Sequence, residues 1–151
     1  MFANYCLALG MKVIGHDIVK NEGLVPLDNF EYSSLENLIS NSDIISLHVP
    51  LLPQTKHMIN KDTIDQMKDG VILLNASRGG LFDESALLDG LNSGKIAGIG
   101  LDVYETEPVS SNNTLVNHPL SVTTPHIGAQ TSEASRNNSM IVTQKLFEFF
   151  Q

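Results

Sequence analysis

The hydrophobic pattern of this chain changes period again and again, and that alternation constrains its fold more than any other feature. Short runs of consecutive apolar residues at 11–15, 43–49, 71–76, 96–103 and 121–124 have the length and continuity of buried strands. Between them apolar residues recur at helical spacing. Phe2, Cys6 and Leu9 share one helical face before Gly10, and Leu35, Leu38 and Ile39 follow the capping residues Ser33 and Ser34. A short helix at 61–67 turns Ile64 and Met67 inward and ends before Gly70. A longer one starts at the cap Asp83, carries Leu87, Leu88 and Leu91, and stops at Gly94. The segment 131–150 reads as a long amphipathic helix, capped by Thr131 with Glu133 in its first turn. Strands that lack polar alternation and interleave with helices belong in a parallel sheet covered on both faces. The expected fold is therefore a doubly wound α/β domain.

Composition narrows the partners. The formal charge of −8 leaves no basic footprint for phosphates, so no nucleic-acid partner is expected. The single cysteine, Cys6, rules out an intrachain disulfide and a cysteine metal cluster, and no other metal site is visible. No apolar run approaches the roughly 20 residues of a membrane helix, and the first ten residues lack the basic start of a signal peptide. No membrane partner is expected, and a cytoplasmic location is. The Asn112 and Asn137 acceptor triplets then count as chance matches.

In open parallel sheets, ligands bind beyond the carboxyl ends of the strands. Asp17 follows the first expected strand, His48-Val49-Pro50 the second and Ser77-Arg78-Gly79 the third. Asp102 ends the fourth, Glu107 comes shortly after it, and His126 follows the fifth. Singly, each has a plain structural reading as a turn former, a solvated charge or a packed histidine. Jointly they gather ionisable groups from separate strands along one edge.

The residues that do this fall into five ordered motifs: Gly-Met-Lys-Val-Ile-Gly-His-Asp (10–17), His-Val-Pro-Leu (48–51), Leu-Asn-Ala-Ser-Arg-Gly-Gly (74–80) followed by Asp83 and Glu84, Leu-Asp-Val-Tyr-Glu-Thr-Glu-Pro (101–108), and Thr-Pro-His-Ile-Gly-Ala (124–129). In these motifs and their spacing the chain resembles the D-isomer-specific 2-hydroxyacid dehydrogenases, most closely the phosphoglycerate dehydrogenases among them. The resemblance covers nearly the whole chain and implies a Rossmann-type NAD-binding domain.

It also implies roles. Arg78 would grip the substrate carboxylate with a guanidinium fork that cannot lose its proton. His126 would exchange a proton with the substrate oxygen, and Glu107 would hold the imidazole. For NAD, Asp17 would accept the adenosine ribose hydroxyls, and the absence of a following arginine favours NAD over NADP. Val49 and Pro50 would pack near the adenosine half. Asp102 would bond the nicotinamide carboxamide, with Ala76, Ser77, Arg78, His126, Ile127, Gly128 and Ala129 around it. The partner implied is a small 2-hydroxy or 2-keto acid, and the family habit is a homodimer.

The chain opens inside a helix. The first strand and the Gly-x-Gly-x-x-Gly turn that cradles a pyrophosphate would lie upstream of Met1. Residues 1–151 are thus expected to be a partial dinucleotide-binding domain, with the substrate domain absent from the chain and no useful turnover by it alone. The family's first strand is central, so its loss should leave a gap that is closed up, filled by another chain, or left as a split sheet. Other readings of such a chain are a non-catalytic nucleotide-binding module and an oligomerising fragment of such an enzyme.

Overall fold

Each helix start that the sequence marks is capped in the structure, a computed structural model that describes residues 2–20 and 28–150. Ser34 accepts the Asn37 N–H at the head of α2 (Leu35–Asn41), and Asn60 and Thr63 form a reciprocal capping box on α3 (Lys61–Gln66). Asp83 accepts the Ser85 and Ala86 N–H groups at α4 (Glu84–Ser93), and Thr131 accepts the Ala134 N–H at α5 (Ser132–Phe149). Gly94 closes α4 in the left-handed conformation, at φ 78°. Loss of one side-chain cap costs about 1 kcal/mol. Asp83→Ala, which strips two donors at once, is expected to lower stability by about that amount or more in urea unfolding; an unchanged midpoint would mean that the cap contributes nothing.

The remaining elements are α1 (Phe2–Ala8) and the strands β1 (Val13–Gly15), β2 (Phe30–Tyr32), β3 (Ile44–Leu47), β4 (Val71–Asn75), β5 (Ile96–Leu101) and β6 (Ser121–Thr123). Every pairing between strands is parallel, as the interleaved helices require. β3, β4, β5 and β6 form one sheet in that order, and β1 and β2 form another. Among the described residues β1 and β3 are not paired, so the strands do not close up across the gap. The expected strands are each trimmed at an end, and β2 was not expected at all. It spans three residues, with only Phe30 and Tyr32 on one side of the ribbon, too little for a period to register.

The core lies on one face of the four-stranded sheet. Ile45, Leu73 and Ile99 stand in register there and pack with Ile64, Leu87, Leu91 and Ile96 from α3, α4 and the start of β5. The opposite face corrects an expectation. Ile44, Ile72 and Gly98 share a register row, yet Ile44 is 42% and Ile72 37% exposed, and Val122 farther along is 75% exposed. Coverage on both faces is thus not met among the described residues. The helices that flank the core have buried residues, whereas α1 and α5 have none. Among the described residues, no helix is long and apolar enough to cross a membrane.

Candidate active site at the strand ends

β5 runs out at Leu101, and the next side chain, Asp102, is only 6% exposed. A buried carboxylate needs partners, and this one reaches across to the loop that follows β6. It accepts the Thr124 hydroxyl and the Ile127 N–H on Oδ1, and the Gly128 N–H on Oδ2, both amides at 2.8 Å. Burial pushes the Asp102 carboxyl up, but these three donors outweigh it and hold it below the usual carboxylate range.

The turn so held contains His126, whose φ of 54° lies in the left-handed region that a side chain with a Cβ disfavours. Its Nδ1 sits 2.6 Å from Glu107 Oε2. The other Glu107 oxygen accepts the Tyr104 N–H at 3.0 Å, and the Tyr104 hydroxyl donates to the Thr124 carbonyl at 2.9 Å. The bond to His126, then that from Tyr104, lowers the Glu107 pKa against burial and the nearby charge of Asp102. The far nitrogen of His126, Nε2, has no hydrogen-bond partner among the described residues, and the ring is about half exposed.

Arg78 is presented by a knot at the end of β4. Asn75, buried at 2% exposure, donates to the Arg78 carbonyl at 2.8 Å and accepts both the N–H and the hydroxyl of Ser77. The guanidinium itself is exposed and donates to the Ser77 carbonyl at 2.6 Å. Gly79 then lies flush on the 104–107 loop: a Cβ built there would fall 1.8 Å from the Tyr104 carbonyl oxygen.

Asp102, Glu107, His126, Ile127 and Gly128 are therefore brought together by direct bonds, with Ala129 next in the same loop. Arg78 joins them through the Gly79–Tyr104 contact and through Asn75, which holds the Arg78 carbonyl and whose own carbonyl accepts the Asp102 N–H at 3.0 Å. Ala76 is exposed and Ser77 half-buried in the Arg78 loop. Val49 packs against the core, and the Pro50 carbonyl accepts the Thr55 hydroxyl at 2.7 Å. Asp17 stands apart at the end of β1, where its carboxylate accepts the Val19 N–H at 3.1 Å, a local turn contact. Sequence reasoning assigned no role to Asn75, Tyr104 or Thr124. Asn75 alone carried a signal, as a polar residue closing an apolar run.

The profile of the D-isomer specific 2-hydroxyacid dehydrogenase NAD binding domain matches residues 1–128. The chain is 46% identical over 144 residues to a hydroxypyruvate reductase of Blautia hydrogenotrophica, covering 95% of this chain and 44% of that protein. It is 42% identical over 142 residues to a D-3-phosphoglycerate dehydrogenase of Bacillus subtilis, covering 94% and 27%. Among solved structures, the D-lactate dehydrogenase of Aquifex aeolicus complexed with NAD and lactic acid superposes with a TM-score of 0.82 at 38% identity, covering 97% of this chain and 49% of that one. The chain thus spans less than half the length of each of these proteins.

Fold and likeness together define a Rossmann-type α/β domain with parallel sheets. The chain belongs to the D-isomer specific 2-hydroxyacid dehydrogenase family and carries its NAD binding domain. NAD is the cofactor of that domain, and the strand-end residues offer an acceptor that suits its amide group. Asp102 Oδ2 accepts one bond and keeps a second lone pair for an amide donor.

Proposed function

We propose that this chain is the cofactor-binding part of an NAD-dependent dehydrogenase acting on a small 2-hydroxy or 2-oxo acid, and that residues 1–151 form a partial dinucleotide-binding domain completed by a substrate domain. The observation that carries the reading is the Glu107–His126 pair at 2.6 Å, with the imidazole Nε2 left without a hydrogen-bond partner among the described residues. Bound NAD(H) supplies or accepts the hydride. His126 donates a proton from Nε2 to the substrate carbonyl oxygen in reduction and takes it from the hydroxyl in oxidation. Glu107 orients the ring and stabilises its charged form. Arg78 turns from the Ser77 carbonyl to the substrate carboxylate and binds it with two parallel bonds.

Asp17 accepts the adenosine ribose hydroxyls, Val49 and Pro50 pack near the adenosine half, and Asp102 offers its remaining lone pair to the carboxamide. Ala76, Ser77 and the loop from Ile127 through Gly128 to Ala129 line the nicotinamide side. Within the class we place the chain with the D-3-phosphoglycerate dehydrogenases, on its motifs, and its assembly as a homodimer. The second reading is hydroxypyruvate reduction, favoured by the 46% identity to a protein of that name.

Amide shifts in the 151-residue chain, followed by NMR during titration with NADH and separately with oxalate as a 2-oxo acid mimic, test this. NADH is expected to move Asp17, Ser77, Ile127 and Gly128, and oxalate Arg78 and His126. Without the glycine cradle, affinity should fall roughly a hundred- to thousand-fold from a micromolar norm, so titration runs to millimolar concentration. His126→Gln should leave the NADH shifts in place and weaken the oxalate shift of the Arg78 amide. Shifts confined to other residues, or none, would overturn the proposal. NADH oxidation with 3-phosphohydroxypyruvate against hydroxypyruvate, by a protein that carries this domain together with its substrate domain, then separates the two substrate readings.

A further inference from the structure

A second cluster of ionisable groups, His57, Glu84 and Glu105, lies behind the proposed dyad and is not used by it. Glu84 opens α4, and its N–H donates to Glu105 Oε1 at 3.1 Å. The Glu105 N–H donates back to Glu84 Oε1 at 2.7 Å. His57 Nε2 stands 3.2 Å from that same Glu105 oxygen, and the His57 N–H donates to the Gly80 carbonyl at 2.8 Å.

Two carboxylates this close repel each other. Here each accepts the other's backbone amide, one lies at a helix N-terminus, and an imidazole adjoins it. His57 holds this position at φ 50°, in the left-handed region. Three loops are thereby joined: 51–60, which follows β3; 76–83, which carries Arg78; and 102–108, which carries Glu107.

The direction of the joint gives it meaning. Glu105 is bonded to Tyr104 in the chain, and the Tyr104 N–H is the donor that fixes Glu107 Oε1. Glu107 in turn reaches His126 with its other oxygen. We infer that His57, Glu84 and Glu105 form a clasp that positions Glu107 against His126. The inference rests on the dyad proposed above and makes these three positioning residues, since none of them touches the reacting groups.

Glu107 titration in the ligand-free 151-residue chain, followed through its carboxyl carbon by NMR, tests the clasp. Its neighbours are His126, Tyr104 and Asp102. Glu84→Ala and Glu105→Ala are expected to raise the Glu107 midpoint by roughly half a unit or more, as its donors loosen. Both substitutions remove a negative charge, which alone would lower that midpoint, so a rise reports position and not field. Glu84→Gln keeps an oxygen for the Glu105 N–H and should bring the shift back.

A purely structural staple would lower the melting temperature of these variants and leave the midpoint where it was, and that result overturns the inference. Should Glu84→Ala fail to fold, Glu105→Ala decides alone, because it removes the acceptor of the Glu84 N–H and the partner of His57 while the Asp83 cap of α4 stays in place. An ordinary Glu107 midpoint in the unaltered chain sinks the dyad and the clasp with it. A depressed midpoint that the variants do not move sinks only the clasp.

Discussion

Gly79→Ala is expected to destabilise the chain by about 3 kcal/mol or more, a large effect for one methyl group. The Cβ would lie 1.8 Å from the Tyr104 carbonyl oxygen and 2.4 Å from its carbon. Backbone atoms have no rotamer to escape into. Tyr104 is also held at two points, by its backbone N–H to Glu107 and by its side-chain hydroxyl to Thr124. Relief therefore requires the Arg78 loop to lift off the Glu107 loop. The reduced backbone entropy of an unfolded alanine would offset only about 0.4–1 kcal/mol of this. Urea unfolding measures the loss, and a variant within about 0.5 kcal/mol of the unaltered chain, the range of ordinary surface changes, would show that the two loops are not in contact.

Asp102→Asn is expected to cost about 3 kcal/mol at neutral pH and to change how stability depends on acid. The carboxylate serves three donors. An asparagine offers one oxygen, so its amide group must face either the Gly128 N–H or the Thr124 and Ile127 donors. Each buried donor left unpaired costs about 1–3 kcal/mol. The folded pKa of Asp102 lies below its ordinary value of 3.8. Its stabilising contribution is accordingly complete above that ordinary value and is lost as the pH falls through the lower, folded one.

Glu107 acts in the same sense, with a smaller effect because it is more exposed and more screened. The unaltered chain should therefore lose stability as the pH drops below about 4, while Asp102→Asn should start lower and fall less steeply. Unfolding curves between pH 3 and 7 would reveal this by their convergence at the acid end. Parallel curves would mean that Asp102 is not the group whose charge holds the His126 turn.

Both experiments probe contacts that the amino-acid sequence does not spell out. Among the described residues its hydrophobic period located every element except β2, and its capping residues marked where α2, α4 and α5 begin. Strand-end logic found Asp102, Glu107 and His126 without saying how they meet. Those inferences succeed because helix and strand periods, caps and left-handed glycines are local properties, written within a few residues.

What joins residue 107 to 126, or 102 to 128, is a hydrogen bond between loops far apart in the chain, and no spacing encodes it. Asn75 reads from sequence as a polar end to an apolar run; only the fold shows it knotting the Arg78 loop. Likewise the apolar stripe on α5 and the row of Ile44 and Ile72 state that a face favours burial, whereas burial itself depends on what packs there. The sequence by itself determined the parallel α/β plan and the edge where chemistry gathers. Tertiary structure decided which carboxylate holds the turn beneath the imidazole and where the sheet divides, because each of these is a contact between segments and not a pattern within one.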